Sequence, residues 1–287
     1  MATFSSRQWV AIFVSVLLFI GFFFINRKPP ASAAEKPPVA SGHATQQPAM
    51  DFNQLLDEAR KQAPADQAAI IGKMESELAD ASGDARLPIL KSLISLYDSV
   101  GDVIPATYYA EKMAEIRNSA DLWYKAADRY YTAAEIGDQQ ARMTLIQKAS
   151  QCYTNSFKID STNLDTKVGI GKCLVEMSDA PMQGIGIIND VIKQDSNNLN
   201  AQLTLGELSV QSGQLPKAIY RFNRVLQIKP TYSDAYLFLA DVYEKEGNKE
   251  QEVKCLEKYS TFVTDKKIQE EIHRQIQKIQ NDTLTNK

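Results

Sequence analysis

The 287-residue sequence predicts an all-α fold: a solenoid of stacked helix pairs, preceded by one membrane-spanning helix and a Pro/Ala-rich linker. Three observations predict it. A 17-residue stretch near the N-terminus carries no charge. Further on, the chain repeats itself at a spacing of 34 residues. No β-strand period and no glycine-rich phosphate loop interrupts the helical patterns.

Composition narrows the classes. Apolar residues make up 44% and charged residues 23%, a globular balance that excludes a wholly disordered chain and a polytopic membrane protein. Net charge is −3, so the whole chain makes no case for nucleic-acid binding. The charge is unevenly placed. Residues 1–50 hold four basic groups (Arg7, Arg27, Lys28, Lys36) and one acid (Glu35), whereas the remaining 237 residues hold 28 basic and 34 acidic groups.

Residues 1–8 form a short head, and residues 9–25 (WVAIFVSVLLFIGFFFI) form the uncharged run. As a helix this run spans about 26 Å, near the roughly 30 Å of a bilayer core, and slight thinning of the bilayer covers the difference. Trp9 fits an interfacial anchor. Arg7 and the triplet Ala31-Ser32-Ala33 also read as a cleaved signal peptide. The length of the run, and Arg27-Lys28-Pro29-Pro30 standing before that triplet, favour an uncleaved single-pass anchor. Arg7 before the run and Arg27, Lys28 and Lys36 after it make the positive-inside count slightly favour a cytoplasmic domain, but long domains translocate largely regardless of charge, so the rule does not fix the orientation. The reading favours a bacterial inner membrane with the following domain on the periplasmic side. Residues 26–50 are a semi-extended linker, and His43 within it is a solvated side chain.

The repeat is clearest between residues 199–232 and 233–266. Leu205-Gly206 aligns with Leu239-Ala240, Gly213 with Gly247, and Phe222 with Leu256. Counted from 199, Gly206 stands at position eight, Gly213 at fifteen, Ala218 at twenty, Phe222 at twenty-four and Pro230 at thirty-two. Small residues at eight and twenty let two helices approach closely. A turn glycine takes the left-handed conformation that ends the first helix. A proline stops the second.

This pattern resembles the tetratricopeptide repeat (TPR), a 34-residue helix–turn–helix unit. The resemblance implies a right-handed superhelix of helices A and B. Weaker copies precede the clear ones. Residues 87–120 supply Leu93, Tyr97, Gly101 and Ala106. Residues 121–163 supply Trp123, Ala127, Tyr130, Ala149 and Tyr153, with about ten extra residues that predict longer helices. Residues 164–198 align with the next copy through Asn163/Asn198, Gly171/Gly206 and Pro181/Pro216, with one residue inserted in the turn. Residues 233–265 carry Tyr236, Leu239, Ala240 and Tyr243, but Glu252 replaces the small residue at position twenty, which predicts looser or shifted packing there. Pro105, Pro181 and Pro216 each open a helix B, where a missing N–H costs little. Residues 51–86 hold an N-terminal helical pair without the signature. Residues 266–287 hold a capping helix and tail, with Ile268, Ile272, Ile276 and Ile279 on one face.

Catalytic and metal chemistry find no support. No H-x-x-H, C-x-x-C or H-E-x-x-H spacing occurs. His273 falls on the polar side of the capping helix. Cys152, Cys173 and Cys255 read as small core residues, with a Cys152–Cys173 disulfide left open. Glu270-Glu271 read as solvated, and Gly184-Ile185-Gly186 lacks the strand that a nucleotide loop needs. The expectation is no enzyme, no cofactor and no metal.

The resemblance further implies a concave groove lined by helices A. Carried onto this sequence, that groove displays Lys91 and Ser95, then Tyr124, Asp128 and Tyr131, then Lys172, then Leu203 and Glu207, then Leu237, Asp241 and Glu244. Lys91 is followed four residues on by Ser95, not Asn, which disfavours the carboxylate clamp of chaperone-binding members. Tyr, Leu and acids suit an extended or helical protein segment with apolar and some basic side chains. Tyr124, Tyr131, Leu203 and Leu237 equally fit a role in packing. The leading expectation is a membrane-anchored scaffold or adaptor that binds a protein segment during assembly of cell-envelope complexes, with the bilayer contacted through residues 9–25. The alternative is a chaperone-like subunit of an envelope enzyme system such as cytochrome c maturation. An anchored enzyme with an unrecognised site is the third. Partner, cleavage, oligomeric state and cysteine redox state are left open.

Overall fold

The structure, a computed structural model, describes residues 51–61, 64–137, 139–177 and 181–285. The expected head, membrane helix and linker lie outside the described residues. Among the described residues no helix is long and apolar enough to cross a membrane. Every regular element described is helical. The described residues divide into two compact units, the first ending at Ile159 and the second beginning at Asp160.

The first unit holds α1 (Phe52–Lys61), α2 (Ala65–Asp80), a short 3-10 turn, α3 (Arg86–Val100), α4 (Val103–Arg117), α5 (Ala120–Ile136) and α6 (Gln139–Ile159). The pairs α3/α4 and α5/α6 pack as antiparallel neighbours, and α4 packs on α5. Leu93, Tyr97 and Ala106 are fully buried, as are Ala127 and Tyr130. Gly101 closes α3 at φ +79°, the left-handed conformation its position requires. The lengthened pair is α5, 17 residues, and α6, 21 residues. The first two helices do not chiefly pack on each other. Helix α1 lies on α4 and α6, whereas α2 lies on α3.

The second unit holds α7 (Leu164–Met177), α8 (Met182–Gln194), α9 (Leu199–Gln211), α10 (Leu215–Ile228), α11 (Asp234–Glu246), α12 (Lys249–Ser260) and α13 (Lys266–Thr285). Successive helices pack in pairs, and α13 lies on α12. The Asn pair at spacing 35 proves to be a pair of helix caps. The Asn163 side chain accepts the Thr166 N–H at 3.1 Å, and that of Asn198 accepts the Ala201 N–H at 2.8 Å. Asn198 also donates to Asp165 Oδ1 at 2.9 Å, tying α9 to α7. Gly213 and Gly247 are left-handed, at φ +71° and +73°. Pro216 sits in the first turn of α10, and α10 ends at Ile228, two residues before Pro230.

Close helix approach rests on three glycines. A β-carbon on Gly171 would fall 2.6 Å from the Ile188 side chain, one on Gly184 2.8 Å from that of Val175, and one on Gly206 2.5 Å from the Phe222 ring. Gly184 thus occupies the α8 position that Ala218 fills in α10. At the next such position α12 carries the buried Glu252. Ile272 and Ile276 of α13 close this core, with Ile268 and Ile279 packed beside them.

Candidate functional site

The reactive side chains are placed for structure. No disulfide joins Cys152, Cys173 and Cys255, and all three are buried. Burial pushes the Cys173 thiol up to about 12 and that of Cys255 to about 11, away from the thiolate that nucleophilic work needs. The imidazole of exposed His273 sits 2.7 Å from the Gln269 carbonyl on its own helix. Among the described residues no group of three or more His, Cys, Asp or Glu is arranged to hold a metal.

The residues assigned to the groove fall into two classes. In the first unit, Lys91, Ser95 and Asp128 are exposed on α3 and α5, and Tyr124 is half-buried, its ring edge-on to Tyr153 at 5.7 Å. Tyr131 is buried in the core. Arg129 of α5 pairs with Asp98 of α3, which ties two successive helices A. In the second unit, Lys172, Leu203, Glu207, Leu237, Asp241 and Glu244 are all half-buried. Leu203 and Leu237 pack against the α10–α13 core cluster, so they are not free contact residues. Lys172, Glu207 and Asp241 hold the same position on the successive helices A, α7, α9 and α11. Asp241 pairs with Lys245 one turn on. Tyr232 lies near enough to the acids that burial, then Asp234 and Glu207, raise its pKa. The helices A α9 and α11 thus carry three half-buried acids, Glu207, Asp241 and Glu244, of which Asp241 is paired with Lys245.

The first unit holds a polar network that the sequence did not announce. Glu111 on α4 is 7% exposed. Its carboxylate accepts the Tyr130 hydroxyl at 2.5 Å and the Lys148 ammonium at 3.2 Å. Burial, followed by Glu111, raises the Tyr130 pKa and keeps that phenol a donor. Lys148 also stands 4.8 Å from the Phe52 ring centroid. At the other end of α1, Arg60 donates to the Tyr109 hydroxyl at 2.8 Å and pairs with Glu75 at 3.3 Å. Charged residues on amphipathic helices read as solvated, so only the spacing of Phe52, Leu55, Leu56 and Ala59 signalled a buried face here.

A family model described as "TPR repeat" matches residues 206–247, from the tight glycine of α9 to the left-handed glycine that ends α11. Residues 206–247 are thus similar to a tetratricopeptide repeat. This segment joins helix B of one unit to helix A of the next, which is why it straddles Pro230. Solved structures with partial likeness include "Crystal structure of MamA", at 21% identity and TM-score 0.40 over 58% of this chain and 92% of that one. Another is YrrB, described as "a TPR protein with an unusual peptide-binding site", at 18% identity and TM-score 0.39 over 70% of this chain and 97% of that one. A third is a MamA from Desulfovibrio magneticus RS-1, at 15% identity and TM-score 0.41 over 63% and 97%. A search of curated proteins finds no match. The likeness to TPR units in the rest of the chain lies in its own repeat, its left-handed turn glycines and its closely packed small residues.

Proposed function

We propose that this chain is a membrane-anchored TPR scaffold that holds a protein segment on its helix-A surface while complexes of a bacterial cell envelope assemble. The observation that carries the binding role is a helix-A face of the second unit that bears the half-buried acids Glu207, Asp241 and Glu244. Such a face suits a segment with basic and apolar side chains, because complementary charge selects partners and speeds encounter. The uncharged run at residues 9–25 supports the anchor. Restriction to a surface raises the effective concentration of partners.

Two measurements test the reading. In cell membranes washed with alkaline carbonate, the chain stays in the pellet with its N-terminus intact. Release, with an N-terminus just after Ala33, contradicts the anchor. The full chain in detergent captures a protein that the E207Q/D241N/E244Q variant retains at least tenfold less. Equal capture by a variant with unchanged helical content contradicts the acidic face as the binding surface.

A further inference from the structure

Helix α1 is held as a ligand is held. Phe52, Leu55, Leu56 and Ala59 fall at i, i+3, i+4 and i+7, the spacing by which an amphipathic helix sits in a groove. Leu55, Leu56 and Ala59 are buried, whereas Asn53, Gln54, Asp57, Glu58 and Lys61 face solvent. Phe52 enters an aromatic corner, 5.7 Å from Tyr130 edge-on and 6.3 Å from Tyr108, with Lys148 over its ring. Arg60 closes the other end on Tyr109 and Glu75. The seat is made by α4 and α6, helices B of two successive pairs, which pack through α5 without help from α1. A ten-residue helix is too short to persist alone in water. It is helical because the seat makes it so.

We propose that the α4/α6 surface is a binding groove for an amphipathic helix of a partner protein, and that α1 is its resident, displaceable occupant. The partner chemistry follows from the seat. It requires an aromatic residue at the Lys148 end, two adjacent apolar residues one turn on, a small residue after a further turn, and then an arginine. Glu75 and Tyr109 at the far end select that arginine: Glu75 carries the charge, and the Tyr109 hydroxyl, which donates to Glu75, accepts from the guanidinium. Lys148, already neutralised by Glu111, leaves its ring-facing side for the aromatic. This orientation is fixed, aromatic end on α6 and arginine end towards α2. The surface lies in the first unit, on α4 and α6 with Tyr130 of α5 and Glu75 of α2 at its ends, so it is independent of the second unit's helix-A face and stands or falls apart from it.

The test uses the full chain in detergent and a fluorescent, end-blocked peptide of residues 51–61, read by anisotropy. Wild type has its seat occupied, so the F52A/L56A chain binds the peptide at least tenfold more tightly. Peptides carrying L56D or R60A bind that variant at least tenfold more weakly than the native peptide. Equal binding to both chains, binding to neither, or full binding of the L56D peptide overturns the proposal. An F52A/L56A chain that dimerises instead assigns the seat to a second copy and also overturns it. Hydrogen exchange on wild type checks the same claim without a variant: amides of α1 must exchange at least tenfold faster than those of α4 and α6. Equal protection makes α1 an integral part of the fold, which overturns displaceability.

Discussion

The Phe222 ring lies against the bare α-carbon face of Gly206, so close that a β-carbon there would stand 2.5 Å from Cε1. This contact sets the distance between α9 and α10. It also reverses the usual sign of a helix substitution. In open space, replacing a mid-helix glycine by alanine stabilises by about 0.5–1 kcal/mol. Gly186 on α8 has such space, because a β-carbon there would meet nothing within 4 Å. Gly186→Ala is therefore expected to raise stability by about that amount. Gly206→Ala must displace a buried ring and is expected to lose about 1–3 kcal/mol. Urea unfolding of both variants checks the pair. A double variant with Phe222→Leu recovers part of the loss, whereas strict additivity contradicts the contact as the cause.

Glu111 and Lys148 form an ion pair in which the acid is nearly enclosed. Removing one partner leaves a buried charge with too few donors, which costs more than removing both. Lys148→Met is expected to lose about 2 kcal/mol. Glu111→Gln with Lys148→Met should recover more than half of it. Denaturant unfolding at neutral pH reads both. A double variant no better than the single one contradicts a charge effect.

Asp102 begins α4, and its Oδ2 is buried without a hydrogen-bond partner. Burial raises its carboxyl from 3.8 to about 6. The folded chain therefore holds this proton more tightly than the unfolded one. Between about pH 4 and pH 6 the folded state binds the extra proton, so this group's contribution to stability falls as pH rises and is lowest above 6. Asp102→Asn keeps the size of the side chain and removes the charge. The variant is expected to exceed wild type by about 1 kcal/mol at pH 7, discounted for the group's partial exposure. The gap should close by pH 4. A gap that does not change with pH contradicts the assignment.

Much of the repeat could be read from spacing, because backbone geometry dictates residue type at a few positions. Gly101, Gly213 and Gly247 were legible since only glycine turns there without strain. Asn163 and Asn198 aligned before either was known to cap a helix. Gly184 was missed as a close-packing residue. The inserted residue in the preceding turn shifts its register against the next repeat. The seat of α1 was illegible for a different reason. Its apolar spacing shows which face is buried, but Glu111, Lys148 and Tyr130 are brought to it from three other segments. On the groove, sequence alone does not separate Leu203 and Leu237, which pack inward, from Glu207 and Asp241 beside them. That distinction depends on which side chain the next helix covers.

The central claim is that the helix-A face of the second unit binds a protein. Photo-crosslinking in living cells tests it most directly, with a photoreactive residue in place of Glu207 or Asp241 in the full chain. Lys217, exposed on α10, serves as the control position. Positions 207 and 241 are expected to give the same protein adduct, and position 217 none. No adduct, or one indistinguishable pattern from all three positions, would contradict it.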